Sequence, residues 1–306
     1  MPRSGVMLAY PLEAKRIESW GYPVYVQPKL NGRRCVAIKE QSETGESKSL
    51  LLSSQRNIIV SVPHINTELS YWNTSIMLDG ELYKHGMNKQ DIDSRTARTV
   101  NLHSDYKSIE YHIFDIKDLL HNQKERIEAL ELLRSQVSLL NLEHIKFVPT
   151  YSVKDWKSLM FHQDLFLSQG YEGIIVRRPS GLYIERRHHN LLKHKPTKKD
   201  KYEVIGYEQL ESKVCPTCYK TPSLCIDNTE EKDFIEVPVD MLGAFICKDK
   251  RGTSFNVGSG RILTKEGRIQ YWEDRDSLIG KHLVVKYERL SDAKGVPVSG
   301  VVMEIV

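Results

Sequence analysis

The 306 residues carry 44 Lys and Arg against 40 Asp and Glu, a formal net charge of +4, with 40% hydrophobic and 27% charged residues. This is the balance of a globular chain with room for two domains, and it excludes a disordered or fibrous one. No run of eighteen apolar residues occurs, which excludes a spanning helix, and MPRSGVMLAYPLEAKRIESW has no apolar segment ahead of a small-residue cleavage site, so no secretory signal is expected.

In chain order, residues 22–39 alternate around Val24, Val26, Val36 and Ile38, which predicts two strands joined through a turn from Lys29 to Arg34. SIMLDGELY, from Ser75 to Tyr83, predicts a strand with a charged centre, and YHIFDI, from Tyr111 to Ile116, a buried one. Ile127, Leu130, Leu133, Val137 and Leu140 recur at helical spacing, predicting an amphipathic helix over 123–141. A second helix is expected between a capping-box-like Ser152 and Asp155 and a stop at Gly170, followed by the strand YEGIIVRRP. Strands and helices mix here without regular alternation, so the first two thirds read as an α+β domain.

Pro196–Lys201 is polar and lysine-rich, a candidate linker with a hinge expected near Lys198–Lys201, and the domain boundary is placed near residue 198. Beyond it, short strands are expected at Tyr202–Tyr207, Met241–Cys247, Ser254–Val257, His282–Tyr287 and Val298–Ile305, a pattern suited to a small barrel over residues 199–306. Five unevenly placed cysteines fit a reducing compartment better than a disulfide framework. Cys215-Pro216-Thr217-Cys218 with Cys225 resembles half of a zinc site, but no adjacent Cys or His supplies a fourth ligand, so the expectation is free thiols.

Three chemically loaded stretches fall at strand ends of the first domain: Lys29 in KLNGRR, Glu81 in LDGELY and Glu172 in YEGIIVRR. Lys193 and Lys195 in LLKHKP close that domain. Two carboxylates beside several lysines suit a nucleoside triphosphate with a divalent metal, the acids holding the metal and the lysines neutralising phosphate. Gly32 is expected to permit a turn that a side chain would obstruct. The basic clusters Arg177-Arg178, Arg186-Arg187-His188-His189 and Lys193 to Lys199 fit either a solvated face or a phosphate-rich ligand.

The series K-x-N-G-x-R, D-G-E-L, E-G-I-I-V-R and L-L-K-x-K resembles the motif series of the covalent nucleotidyltransferases. That superfamily includes ATP-dependent DNA ligases, RNA ligases and mRNA-capping enzymes. VMLAYPLE resembles the leader before the first motif, and GAFICKDKRGTSFNVGSG with IGKHLVVKYERL resembles the OB-fold domain of small viral and phage DNA ligases. The resemblance implies an α+β nucleotidyltransferase domain (1–198) followed by an all-β OB-fold barrel (199–306), with a DNA-clasping insertion near 208–237. It implies that Lys29 carries AMP, with Lys193, Lys195 and Asn31 as catalytic neighbours. Gln27, Leu30, Arg34, Arg56, Glu81 and Phe114 would contact the nucleotide, Phe114 by stacking on adenine and Arg34 through ribose or the nick phosphate. Glu81 and Glu172 would bind Mg2+ or Mn2+.

The implied partners are ATP and nicked duplex DNA, with no membrane and with a monomer that closes around the DNA. The implied location is cytoplasmic, or a nucleoid or viral replication site. NAD-dependent ligases need an additional nicotinamide-binding segment before the nucleophile, and 28 residues precede Lys29 here, so ATP is expected rather than NAD. An RNA ligase, a capping guanylyltransferase and a catalytically impaired nick-binding protein are the alternatives. Three positions depart from the family pattern: Asn31 replaces the usual Asp, Gln27 replaces the usual Glu, and VPVSGVVMEIV has no Arg or Lys where the family carries a basic R-x-D-K-like element.

Overall fold

The structure, a computed structural model, describes residues 5–41, 47–72, 76–222, 224–225, 233–291 and 293–306. The chain folds as two compact units, Met1–Lys195 and Pro196–Val306.

The first unit holds two five-stranded sheets. One comprises β1 (Leu8–Pro11), β2 (Val24–Lys29), β8 (Tyr151–Val153), β9 (Gly173–Arg177) and β10 (Arg187–His194), in the order β1-β10-β9-β2-β8. The other comprises β3 (Arg33–Gln41), β4 (Ser47–Ser53), β5 (Leu78–Tyr83), β6 (Glu110–Ile116) and β7 (Ile145–Phe147), in the order β4-β3-β5-β6-β7. The two strands expected on either side of KLNGRR both form, but they do not pair. β2 lies between β8 and β9, while β3 lies between β4 and β5, so Leu30–Gly32 carries the chain from one sheet to the other. Period-two alternation gives the faces of a strand and is silent about its neighbours.

Each sheet is covered by helices. α2 (Pro63–Tyr71) packs on β4 and β7, and α4 (Gln123–Leu140) packs on β6. Leu130, Leu133 and Val137 of α4 enter the core around Leu78, Leu82, Tyr111 and Ile113. Leu140, expected on that apolar face, is 44% exposed where the helix ends at a left-handed Asn141. α1 (Ala14–Trp20) and α5 (Trp156–Ser168) enclose a second core with Ile17, Val24, Val26, Leu159, Phe166, Ile174 and Val176. α5 starts one turn later than expected: Asp155 is its N-cap, boxed with Ser158, and Ser152 belongs to β8. α3 (Lys89–Thr96) follows β5 and is capped by Asn88.

Two glycines hold the inner edges together. A Cβ on Gly32 would lie 2.2 Å from the Leu82 carbonyl oxygen and 2.9 Å from Glu81 Cγ. Gly32 is therefore required for close approach to β5, and its φ is not positive. On Gly173, which pairs with Lys29, a Cβ would lie 2.1 Å from the His194 carbonyl oxygen.

In the second unit, β11 (Lys198–Val214), β12 (Ile235–Lys248), β13 (Ser254–Val257), β14 (His282–Tyr287) and β15 (Val301–Ile305) form an open sheet in the order β13-β12-β11-β14-β15. All five expected strands are present, and two of them are far longer than expected. A helix, α6 (Lys265–Glu273), packs on β12 where no helical signal was read. Just past β13, Gly260 makes a parallel bridge to Val302 of β15, tying the two edges at one point. Residues 198–201, expected as a hinge, are laddered to β14 from Lys198↔Tyr287 to Lys201↔Val284. Of the expected 208–237 insertion, 208–214 and 235–237 are ladder residues of β11 and β12, while 223 and 226–232 lie outside the described residues; so does Ser75, at the start of the strand expected before Leu78.

Replacing Gly173 with Ala forces a methyl group into the space of the His194 carbonyl. A loss of about 1–3 kcal/mol is expected in urea unfolding, as for other overpacked sites.

Candidate active site

A cleft of about 550 Å³ opens where the two sheets of the first unit meet. It is lined by Gln27, Lys29, Leu30, Asn31, Arg34, Glu81, Phe114, Glu172, Lys193 and Lys195, among others. Ten of the eleven residues expected at the site therefore share one cavity, although they come from six separate strands and their flanking turns. Its size is that of a small-molecule site.

At its centre Glu172 bridges two lysines. One carboxylate oxygen contacts Lys29 Nζ and the other contacts Lys195 Nζ. The backbone fixes this arrangement, because Glu172 N–H donates to the Lys29 carbonyl at 3.0 Å and Gly173 pairs with Lys29 across the β2–β9 ladder. Lys29 Nζ also donates to the Leu30 carbonyl at 3.3 Å. The Leu30 side chain is buried in the core at 5% exposure, so the polar group it offers the cleft is its backbone.

Glu81 stands on the opposite sheet. Its Oε1 accepts the Gly32 N–H at 2.6 Å, which clamps the crossing between the sheets. Burial raises its carboxyl above the ordinary carboxylate range, although Lys29, the Gly32 N–H and Arg34 pull it down.

Below these groups lies a buried polar floor. Arg34 is bound through Nε to Asp79 Oδ1 at 2.9 Å and through Nη2 to Asp79 Oδ2 at 2.5 Å, and Nη1 donates to the Met7 carbonyl at 2.7 Å. The guanidinium expected to meet ribose or a nick phosphate is thus engaged by an acid that is 0% exposed. Tyr183 OH donates to the same Asp79 at 2.6 Å. Gln27, 2% exposed, donates through Nε2 to the Phe114 carbonyl at 3.0 Å and Thr150 Oγ1 at 2.8 Å, and accepts from Arg177 Nε at 2.7 Å.

Arg177 turns inward to Asp115 at 2.6 Å, and Arg126 meets the other side of Asp115 at 2.8 Å. The alternatives of a phosphate contact or a solvated face are both replaced, because Arg177 is 2% exposed. Phe114 lies beside Arg34 and Arg177, its ring centre 5.1 Å from Arg34 Cζ and 5.5 Å from Arg177 Cζ. Arg56, the eleventh expected residue, is outside the lining. It sits in a left-handed conformation on the turn after β4, and its guanidinium meets Glu185 at 3.5 Å while Ser53, Ser54, Gln55 and Asn57 face the cleft.

Residues 6–195 match the family model described as ATP dependent DNA ligase domain. The chain belongs to the ATP-dependent DNA ligase domain family. It is 26% identical over 293 residues to the DNA ligase of African swine fever virus (isolate Pig/Kenya/KEN-50/1950), covering 89% of this chain and 61% of the relative. The chain thus spans about three fifths of the length of the curated relatives it matches. Among solved structures it resembles Pmar-Lig_PreS3, with a TM-score of 0.74, 21% identity, and coverage of 100% of this chain and 67% of that one. A structure from a study of Lig E DNA ligases gives a TM-score of 0.70 at 15% identity, covering 99% of both chains.

Within this ligase domain, sequence reasoning missed the buried floor: Asp79, Asp115, Gln123, Arg126 and Tyr183. The available signal was an acid inside an apolar run, in LDGEL and in YHIFDI, since a carboxylate on a buried strand requires a cation. Lys89 and Arg33 also line the cleft and were not anticipated.

Asp115→Asn leaves Arg126 and Arg177 buried against a neutral partner, and a loss of about 3–5 kcal/mol is expected in denaturant unfolding. Burial raises the Asp115 carboxyl, but Arg177 and Arg126 overcome it and hold the group below its ordinary value. Its contribution to stability is therefore present above the ordinary carboxylate range and is lost as pH falls through the lowered value. The acid limb of a stability–pH curve should flatten in the variant.

Proposed function

We propose that the chain is an ATP-dependent DNA ligase that seals 3′-OH/5′-phosphate nicks in duplex DNA through a Lys29–AMP intermediate and a DNA-adenylate. The observation that carries this reading is the Glu172 bridge between Lys29 and Lys195 in a cationic cleft, in a chain of this family.

Lys29 Nζ attacks the α-phosphorus of ATP, and the bond to diphosphate breaks. An amine attacks only after shedding a proton, and Glu172, in contact with Nζ, is the base positioned to take it. Lys195 and Lys193 neutralise the α-phosphate, and Asn31 at the crossing offers a neutral amide to the ribose or to Lys29. The AMP then passes from Lys29 to the 5′-phosphate of the nick. Attack of the 3′-hydroxyl on that phosphate forms the phosphodiester and releases AMP. Phe114, beside two guanidinium groups, presents the aromatic edge of the base pocket, and Gln27 lies beneath it.

Glu81 and Glu172 would hold Mg2+ or Mn2+. The fit is good, since two carboxylates on facing strands match a cation that takes one or two acids plus substrate phosphates. When bound, the ion supplies neutralisation of phosphate charge.

The second unit is read as an OB-fold. Five antiparallel strands with the Gly260–Val302 bridge across the two edges are the elements such a barrel needs. The long β11–β12 hairpin is read as the DNA clasp. Because 198–201 is laddered, Pro196–Thr197 becomes the place where a monomer would flex to close around DNA. The viral relatives favour work at a replication site.

The deciding experiment incubates the protein with labelled ATP or GTP and Mg2+ or Mn2+, and looks for acid-labile label on the chain. ATP should label it and Lys29→Ala should abolish the label. Label from GTP alone would sink the ligase reading in favour of a capping guanylyltransferase. Absence of label from both would favour a nick-binding protein without catalysis. Glu172→Gln should retain fold and slow labelling by roughly 10²-fold or more, the usual loss on removing a positioned base. Nicked DNA should be sealed in preference to nicked RNA, and its binding should weaken steeply as salt rises.

A further inference from the structure

We propose that Cys215, Cys218 and Cys225 bind one zinc(II) ion as thiolates, and that this ion staples the end of the β11–β12 ribbon. The proposal rests on the second unit alone and is independent of the ligase reading.

The ribbon presents a stability problem. β11 pairs with β14 only over Lys198–Glu203, and β12 pairs with β13 only over Phe245–Lys248. Among the described residues, Leu210–Val214 and Ile235–Val239 have only each other as ladder partners. Five residue pairs at about 3.4 Å per residue make a two-stranded projection of roughly 17 Å. Such a ribbon is marginal on its own in water. Its outer residues fit the lack of a supporting core: Glu211 and Lys213 are exposed and Ile235 is 42% exposed. Yet at its far end Val214 and Cys215 are buried, at 7% and 0%, although neither belongs to any of the hydrophobic clusters of the described residues. At that tip lies a cluster of three thiols able to close it.

The thiols are arranged for that task. The three Sγ atoms lie within 4.8 Å of one another, with Cys218 and Cys225 at 3.6 Å. Sulfurs on a tetrahedral zinc with Zn–S of about 2.3 Å stand about 3.8 Å apart. A disulfide would need about 2.05 Å. The backbone turns the sulfurs inward: Tyr219 N–H donates to the Cys215 carbonyl at 2.9 Å, and Cys215 N–H donates to the Lys220 carbonyl at 2.8 Å. On the other arm, Cys225 N–H donates to the Thr221 carbonyl at 3.0 Å. Tyr219, directly after Cys218, is held at φ 55 while the residue is 70% exposed. A bulky residue in the left-handed region is disfavoured, and one so exposed has little packing to offset it. The Cys-x-x-Cys turn accounts for it, by bringing two sulfurs to one side.

The expectation of free thiols rested on the missing fourth Cys or His. Three soft thiolates supply three corners of a tetrahedron and select zinc over hard cations. The fourth corner can be an oxygen donor or solvent. Binding displaces the thiol protons, so occupancy should fall on acidification.

The full chain, purified under reducing conditions, is incubated with zinc, desalted and measured by elemental mass spectrometry. One zinc per chain is expected, released by a thiol-reactive mercurial. Cobalt(II) substitution of the unaltered protein should give sulfur-to-cobalt charge-transfer bands and tetrahedral d–d bands, a readout that needs no variant. Cys218→Ser should lose stoichiometric zinc. Stripping the metal should raise amide exchange in 210–214 and 235–239 while leaving the first unit unchanged. A metal-free chain with three freely titrating thiols would overturn the proposal. So would a mass short of two hydrogens from a Cys218–Cys225 disulfide, or preferential retention of another metal when zinc is offered in competition.

Discussion

Two buried carboxylates, Asp79 and Asp115, hold the sheets of the first unit in register with each other. Asp115 belongs to β6 and binds Arg177 of β9, across the gap between the sheets. Asp79 belongs to β5 and binds Arg34 of β3 on its own sheet, together with Tyr183 from the loop between β9 and β10. Tyr183 OH in turn accepts the Met7 N–H at 3.2 Å. Replacing such pairs by apolar residues is often neutral for stability, so their value here is not stability alone. What they fix is the relative position of strands that carry Lys29 and Glu172 on one side and Glu81 on the other. The cleft exists because the sheets are tied by charges below it instead of being sealed by an apolar core.

This explains which parts of the site were legible in the sequence. Lys29, Glu81, Glu172, Lys193 and Lys195 sit in short motifs whose residue types announce phosphate and metal chemistry, and the fold brings them to one cavity. Arg34 and Arg177 were read by the same logic, as cations near a polyanion, and the structure gives both an internal acid. The difference turns on the direction of one side chain across a sheet gap, and that depends on which strands are neighbours. KLNGRR looked like a local turn between two strands, whereas it is the passage between two sheets. Local patterning placed the strands of the second unit well. It did not give the length of β11 and β12: Ile235, Val237, Val239 and Met241 do alternate with polar residues, but the run holds Pro238, which argues against a strand interior, and the outer halves lie largely outside the core. α6 was missed because its residues are polar on most sides and none is buried.

The cleft is cationic in a specific way. Its lining holds Lys29, Arg33, Arg34, Lys89, Arg177, Lys193 and Lys195 against Glu81 and Glu172. Asp79 engages Arg34, Asp115 engages Arg177 and Asp93 engages Lys89, so the excess positive charge left toward the opening comes from lysines and Arg33. Lysine is a compact charge on a flexible stem, suited to meeting an anion whose position varies. The planar guanidinium groups serve where nothing must move.

Gln27 gains a physical reason from the same geometry. A carboxylate at this position could accept from Arg177 and Thr150, but it would face the Phe114 carbonyl with no proton between two oxygens. The amide donates to that carbonyl at 3.0 Å and to Thr150 at 2.8 Å while accepting from Arg177 at 2.7 Å. It satisfies three groups without adding a charge beside Asp115, and a carbonyl left unsatisfied in a buried setting would cost about 1–3 kcal/mol. A neutral residue is therefore the better partner for this particular floor. Asn31 differs in kind: it lies in the passage between the sheets, at the cleft, where its neighbours are Lys29 and the groups that approach it. With Asn31 neutral, the negative charge near Lys29 is concentrated on Glu172 and Glu81. Glu172 is then the group that balances two lysines, and its grip on Lys195 limits the charge it has left for Lys29.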